Sequence, residues 1–334
     1  MIRVAINRFG RIGRLVFRLM EDDPDFDVVA INSLTEPKEL AYLLKYDTAH
    51  RRYLEKYITY DDENIIVKGK PIKVYKEKDP INLPWGLLDI DAVYECTGQF
   101  TDKEKASAHI KAGAKRVIIS APAKGNLKTI VYGVNEDILT ENDKIISAAS
   151  CTTNCLAPVV NILNNEFGIK KGYMTTVHAY TNDQAILDST HPKGAISRRG
   201  RAGAANIIPA STGAASALGK VIPALDGKLD GSALRVPVIT GSVVDLSLEL
   251  NRKVTKEEIN ETFKKYANST LGYTEDPIVS SDIIGDTHGG IVDGLLTNVL
   301  QTENGELVKV IAWYDNEMGY SAQMVRTVKH LCQR

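Results

Sequence analysis

The chain has 334 residues, with 41 Lys and Arg against 42 Asp and Glu and a net charge of -1. That balance gives no global attraction to nucleic acid or to an anionic membrane, and there is no run of about 18 apolar residues to cross one. Hydrophobic residues make up 43% and charged residues 25%, which excludes a disordered chain, and at roughly 150 residues per domain the length predicts about two domains.

In chain order, residues 3–7 (RVAIN) read as a short buried strand. Beyond the first of two glycines, Ile12, Leu15, Val16 and Leu19 recur at i, i+3, i+4 and i+7, the period of an amphipathic helix. Residues 27–32 (DVVAIN) form a second buried strand. Strand, turn, helix and strand in that order open a doubly wound parallel sheet. Residues 37–46 are helix-like, and residues 65–75 suggest a hairpin around Lys68-Gly69-Lys70. Buried-type strands return at 90–97, 116–121 and 144–149, with a helix-like KEKASAHIKAGA between the first two. This alternation extends the parallel sheet to residue 150.

The pattern then changes. Residues 151–167 read as one helix, and strand-like runs at 173–179, 234–238, 243–251 and 307–314 suit a mixed or antiparallel sheet. A long loop without a period, rich in Gly and Arg, lies between 180 and 207, and loops of that length inside a domain are usually functional. Residues 318–333 read as a terminal helix. The fold class expected is α/β: a Rossmann-type doubly wound parallel sheet plus an α+β domain with a mixed or antiparallel sheet.

Gly10 and Gly13 match the second and third glycines of G-x-G-x-x-G, and Arg8 stands at the first. Glycines there leave backbone N–H groups open to a pyrophosphate at the positive end of a helix, so a dinucleotide is expected. The carboxylate that binds the ribose of NAD belongs about 20 residues further on, where this chain has Asn32-Ser33. Without that carboxylate a 2′-phosphate is not repelled, and Arg8 could pair with it; the competing readings are that Glu36 binds the ribose, or that backbone and Asn32 contacts suffice for NAD.

The stretch SAASCTTNC (147–155) carries the most chemistry. Ser150 is a good N-cap, so Cys151 falls in the first turn of a helix, where the dipole and nearby cations acidify a thiol. Cys155, one turn on, reads as structural. No second cysteine pair or HxxxH completes a zinc site, so no metal is expected. His178 ends a strand and leads into the long loop, placing it to serve as a base for the thiol. Thr181, Arg198, Arg199, Arg201, the STG at 211–213 and Arg235 are the residue types that grip phosphate by forked hydrogen bonds, and equally those of a solvated basic loop or a subunit contact. The four cysteines (Cys96, Cys151, Cys155, Cys332) form no secreted framework, and MIRVAINRFG has no leader pattern, so a cytoplasmic setting is expected.

The pieces AINRFGRIGR, LLKYD, ECTGQF, HIKAGAKRVIISAPAK, SAASCTTNC, TTVHAYTNDQ, NIIPASTGAA, ALRVP, SVVDL and WYDNEMGY, in this order, closely resemble the phosphorylating glyceraldehyde-3-phosphate dehydrogenase family. The resemblance implies an NAD(P)-binding domain from residues 1–150 with 316–334, a catalytic domain over 151–315, and a homotetramer. It implies Cys151 as nucleophile and His178 as general base. Gly10, Arg11, Ile12, Gly13, Ser33, Thr97, Ser120, Asn316 and Tyr320 become the cofactor residues. Ser150, Thr152, Thr212, Gly213 and Arg199 resemble a site for inorganic phosphate, and Thr181 and Arg235 one for the phosphate of the aldehyde substrate.

The chain departs from the family pattern in several places. Arg8 replaces a glycine, Ser33 a common aspartate, and Ala148 a usual asparagine; Ser189-Thr190 stands where many NAD-using members have Leu-Pro. The segment HPKGAISRRGR is a few residues longer than the common bacterial form, which leaves Arg198 and Arg199 competing for one role. The Ser33 and Ser189 departures point to NADP or dual NAD and NADP use. The competing functions are erythrose-4-phosphate dehydrogenase, which hydrolyses the thioester, and a non-catalytic thiol redox sensor on the same fold.

Overall fold

The computed structural model describes every residue except 193, 195, 304 and 334. The chain divides into two units, residues 1–150 with 321–334 and residues 151–320.

The first unit is built on β1 (Ile2–Asn7), α1 (Arg11–Glu21), β2 (Phe26–Asn32), α2 (Pro37–Lys45), β3 (Ile58–Tyr60), β4 (Asn64–Val67), β5 (Lys70–Tyr75), β6 (Ala92–Glu95), α3 (Lys103–Lys111), β7 (Arg116–Ile119) and β8 (Ile145–Ser147). The sheet order is β8-β7-β6-β1-β2-β5-β4-β3. Neighbours from β8 to β5 run parallel, and β4 and β3 add an antiparallel ribbon. β1 and β6 sit near the middle and are buried almost throughout, as expected of parallel strands covered on both faces. The β4–β5 turn uses Lys68 and Gly69, both with positive φ, the two-residue turn whose twist matches a hairpin. In α1 the buried face is turned from the stripe read from sequence: Leu15 and Val16 are buried, but Ile12 and Leu19 are only half-buried. Phe17 and Met20 are also in the core, and Arg14 and Arg18 are buried with guanidinium bonds to the carbonyls of Phe9 and Leu44.

The second unit opens with α4 (Cys151–Phe167) and β9 (Ile169–Ala179). Next come β10 (Ile208–Ser211), α5 (Ala214–Val221), β11 (Leu229–Val236), β12 (Ser242–Leu250) and α6 (Lys256–Tyr266). β13 (Leu271–Thr274), β14 (Gly290–Asp293), β15 (Asn298–Thr302) and β16 (Gly305–Tyr314) complete its sheet. The order is β10-β11-β9-β12-β16-β14-β13, with β15 on the side of β16. The sheet is mixed: β9 pairs β11 in parallel and β12 antiparallel. Burial along β12 alternates residue by residue, so one face carries the core and the other stays partly open. Helices α5 and α6 and strands β13 to β15 were not read from the sequence. The last helix, α7 (Met318–Cys332), begins in the second unit and continues into the first.

Candidate active site

In the second unit, three elements converge on a thiol. Cys151 is the first residue of α4, so its backbone N–H is one of the donors a helix start leaves unpaired. The turn that delivers it is strained: Ala149, a buried alanine, has φ +59, a conformation that persists only where the surroundings impose it. His178 lies near the end of β9, and Cys151 Sγ is 3.3 Å from its Nε2. His178 Nδ1 lies 2.7 Å from the Ala179 carbonyl oxygen. Nδ1 faces this carbonyl acceptor and the Arg235 Nη1 donor at once, so either ring tautomer leaves one of the two contacts unmade, and Nε2 is the nitrogen that faces sulfur.

Arg235, on the parallel neighbour β11, pairs in register with His178. Its Nη1 is 2.8 Å from His178 Nδ1 and donates to the Ala179 carbonyl and to Thr181 Oγ1. Its Nε is buried without a hydrogen-bond partner. Buried donors are nearly always satisfied, so an orphan at this position calls for a ligand oxygen. Thr181 in turn donates to Asp183, and Arg199 pairs with the same carboxylate. Burial works against charge on Asp183, but the Thr181 hydroxyl, Arg199 and Arg235 hold its carboxyl below the usual range.

The electrostatics correct one expectation. Burial pushes the Cys151 thiol up, outweighing the Arg235 guanidinium, the Thr152 contacts and the backbone donors that pull it down. The helix start and the cations act in the direction read from the sequence, and desolvation of the thiolate opposes them more strongly. Burial, followed by Arg235, pushes His178 down to about 3.

Other residues fall into place around this set. Thr152 shares a hydroxyl contact of 2.9 Å with Tyr314, which reaches Thr176 at 2.8 Å and packs its ring edge-on to His178. Thr212 and Gly213 lie at the amino end of α5, with Thr212 Oγ1 accepting from the Ala214 N–H. Among the loop arginines, Arg199 is turned inward and its charge acts on His178 and Arg235. Arg198 is exposed and Arg201 pairs with Asp188. Cys155 is fully buried, with Gly290 close against its sulfur. Asn316 accepts three bonds at Oδ1, from Thr240, Gly241 and Ser242, which commits its oxygen and leaves the amide NH2 as a donor. Tyr320 is buried and Ser150 half-buried. Tyr314 was given no role from the sequence, and Asp183 was read only as part of Thr181-Asn182-Asp183. A carboxylate two residues past Thr181 was visible there, but its bond to Arg199 was not.

In the first unit, a cavity of about 620 Å³ opens at the carboxyl ends of the central strands, lined by Arg8, Gly10, Asn32, Ser33, Lys78 and Thr97 among others. Open α/β sheets bind ligands at this position. The two glycines differ in what they do. A β-carbon on Gly13 would run into the Arg8 carbonyl, whereas one on Gly10 would meet nothing closer than 3.7 Å. Gly13 therefore serves packing, and Gly10 keeps the cavity open. Arg8, with φ +73, donates to the Thr97 carbonyl and has no carboxylate partner among the described residues. The Arg11 side chain is committed to Asp47, so only its backbone and that of Ile12 remain for a ligand at the start of α1. Ser120 follows β7 and its N–H donates to the Glu95 carbonyl. Glu36 pairs with Lys76 and is not part of the lining. Among the described residues no group of three or more His, Cys, Asp or Glu side chains is placed to hold a metal ion, and no helix is long and apolar enough to cross a membrane.

Comparison with known proteins gives matches over both units. Residues 2–103 match the glyceraldehyde 3-phosphate dehydrogenase NAD binding domain, and residues 150–316 match its C-terminal domain. The chain is 54% identical over 333 residues to the glyceraldehyde-3-phosphate dehydrogenases of Clostridium pasteurianum and Clostridium acetobutylicum, covering 100% of this chain and 99% of each relative. It is 51% identical to that of Streptococcus pyogenes, covering 99% of this chain and 98% of the relative.

Proposed function

The chain belongs to the glyceraldehyde-3-phosphate dehydrogenase family, and from that premise we propose how its own residues carry the reaction. It converts D-glyceraldehyde 3-phosphate and inorganic phosphate to 1,3-bisphosphoglycerate, with a nicotinamide dinucleotide as oxidant. The observation that carries the assignment is the 3.3 Å contact of Cys151 Sγ with His178 Nε2, beside an Arg235 whose Nε lacks a partner.

His178 Nε2 takes the Cys151 thiol proton as Sγ attacks the aldehyde carbon; the C–S bond forms, the carbonyl π bond breaks, and the proton passes to the oxygen to give a thiohemiacetal. The Cys151 backbone N–H and His178 stabilise the charge that develops on oxygen. His178 Nε2 takes the hydroxyl proton as the carbon is oxidised to a thioester. The dinucleotide supplies the acceptor for the hydride that leaves this carbon. Inorganic phosphate then attacks the thioester, the C–S bond breaks, and the Cys151 thiolate leaves. Arg235 and Thr181 hold the substrate's own phosphate. Ser150, Thr152, Arg199, Thr212 and Gly213 receive the attacking phosphate, with the start of α5 adding backbone donors.

The first unit fits the dinucleotide: the open space at Gly10 and the cavity volume lie within the range of small-molecule sites. Gly10, Arg11, Ile12, Gly13, Thr97 and Ser120 would hold its phosphates and adenosine, and Asn316 and Tyr320 its nicotinamide end. We assign dual use with NADP acceptance. Ser33 lines the cavity in place of a carboxylate, Arg8 has no acidic partner, and Lys78 lines the same wall unpaired among the described residues. The competing ribose ligand, Glu36, is engaged by Lys76. We assign a cytoplasmic homotetramer. Ile186, Leu187 and Ile196 of the long loop are 85%, 77% and 98% exposed, and Leu300 and Leu307 form an exposed cross-strand pair, apolar surface of the kind that subunits cover.

The test is reduced-dinucleotide formation from glyceraldehyde 3-phosphate with NAD and with NADP, each with and without inorganic phosphate. Phosphate-dependent turnover with both dinucleotides is expected. Turnover with NAD alone overturns the NADP assignment. Turnover without phosphate turns the reading to aldehyde oxidation by hydrolysis, and absence of turnover turns it to a thiol sensor.

A further inference from the structure

Beneath the cavity of the first unit lies a carboxylate that the proposed chemistry does not use. Glu95, the last residue of β6, is 1% exposed, and His109 of α3 beside it is 0% exposed. Burying a carboxylate is costly unless its oxygens are fully bonded. Here they are. Oε1 accepts from the Thr97 N–H at 2.8 Å and from the Thr97 hydroxyl, and Oε2 accepts from Asn7 Nδ2 at 2.5 Å and from His109 Nε2 at 3.0 Å. Four donors fill the four lone-pair sites of an ionised carboxylate.

The histidine supplies no charge to balance it. Trp85 Nε1 can only donate, and it stands 3.0 Å from His109 Nδ1. Nδ1 is therefore an acceptor, and the single ring proton sits on Nε2, facing Glu95. Trp85 is fully buried in the core of this unit. The series Trp85, His109, Glu95 thus runs from the core to the floor of the cavity, with each group's orientation set by the one below it.

At the cavity the series branches. On one side Asn7 Oδ1 accepts from Asn32 Nδ2, and Asn32 exchanges bonds with the backbone of Glu77, so the ends of β1, β2 and β5 are laced together. On the other side Glu95 fixes Thr97, whose hydroxyl accepts from the Gln99 N–H and whose carbonyl accepts from Arg8 Nη1. Phe100 packs edge-on against the His109 ring. Asn7, Arg8, Asn32, Thr97, Gln99 and Phe100 all line the cavity.

We propose that Glu95, oriented by His109 and Trp85, is a positioning residue for the dinucleotide: it sets the Thr97–Phe100 wall and the Arg8 side chain in the conformation that binds. The proposal rests on the dinucleotide reading of this cavity. Glu95 touches neither the substrate nor Cys151; its effect is on cofactor affinity.

The experiment uses the full-length enzyme and measures the dissociation constant for NAD and NADP by calorimetry. It also measures kcat at saturating dinucleotide and the rate of Cys151 alkylation by iodoacetamide, in the wild type, Glu95→Gln and Trp85→Phe. Glu95→Gln turns an acceptor into an NH2 group facing other donors, and the dissociation constant rises at least about tenfold. Trp85→Phe removes one donor while keeping an aromatic ring, and the constant rises about threefold. In both, kcat at saturation and alkylation rate stay within about twofold of wild type. An unchanged dissociation constant in folded variants overturns the proposal, as does a parallel loss of alkylation and kcat, which marks general loosening of the fold. If Glu95→Gln does not fold, Trp85→Phe decides. A wild type that binds neither dinucleotide overturns the cofactor reading instead.

Discussion

Replacing Arg235 by leucine separates two jobs that one guanidinium performs. Arg235 Nη1 stands 2.8 Å from His178 Nδ1, and His178 Nε2 stands 3.3 Å from Cys151 Sγ, so the cation lies at most roughly 8 Å from sulfur. A unit charge at that distance, at an effective dielectric near 20, is worth about 2 kcal/mol, or about 1.5 pKa units. The sign follows from charge: Arg235 favours the thiolate and pulls the Cys151 pKa down, so its removal raises that pKa further. At a pH below the titration the thiolate fraction falls about 30-fold, and so does the rate of iodoacetamide alkylation. The assay is the alkylation rate of the enzyme without substrate from pH 5 to 10, in wild type, Arg235→Leu and Arg235→Lys. The leucine variant's profile moves to higher pH. The lysine variant keeps the charge and stays near wild type, yet its KM for the aldehyde phosphate rises because the fork is lost. Coincident profiles for wild type and Arg235→Leu would refute the electrostatic reasoning.

Three further outcomes follow from the geometry. Gly13→Ala puts a carbon into the Arg8 carbonyl and costs about 1–3 kcal/mol, read as a lower urea midpoint, while Gly10→Ala leaves the midpoint in place and weakens dinucleotide binding, because its β-carbon enters open cavity. Ser33→Asp places a carboxylate on the cavity wall beside a bound 2′-phosphate; kcat/KM with NADP drops about tenfold or more and that with NAD is kept, and equal loss with both would refute the placement. Tyr314→Phe strips one partner from two buried threonine hydroxyls, costing about 1–3 kcal/mol; thermal scanning should show a lower Tm, with a higher KM for inorganic phosphate because Thr152 loses its anchor.

What the sequence made legible was periodic or local. The 3.6-residue period of α1, the buried runs of β1 and β2, and the change of pattern at residue 150 gave the parallel sheet and the mixed one. The helix starting at Cys151 and the strand ending beside His178 were readable because each is announced by its own neighbours. The rest depends on partners far apart in the chain. Arg235 and His178 are separated by 57 residues and meet only because β9 and β11 pair in parallel. Choosing Arg199 over Arg198 required seeing which guanidinium Asp183 holds. Tyr314 reads as one more aromatic in WYDNEMGY until its hydroxyl is found between Thr152 and Thr176. The acidification expected for Cys151 failed as a net effect because position on a helix is legible and depth of burial is not.

The first unit is drawn from both sides of the second: residues 1–150 are joined by residues 321–334, with Lys329 of α7 paired to Asp23 and Asp25 at the far end of α1. On the ribosome this imposes an order of completion. Most of the cavity-bearing unit emerges early and must persist without its closing helix while the whole thiol-bearing unit is made. Its final contacts form only after residue 320 has left the tunnel. A nascent chain cut before α7 thus carries every residue that lines the cavity and lacks the Lys329 pairs to Asp23 and Asp25.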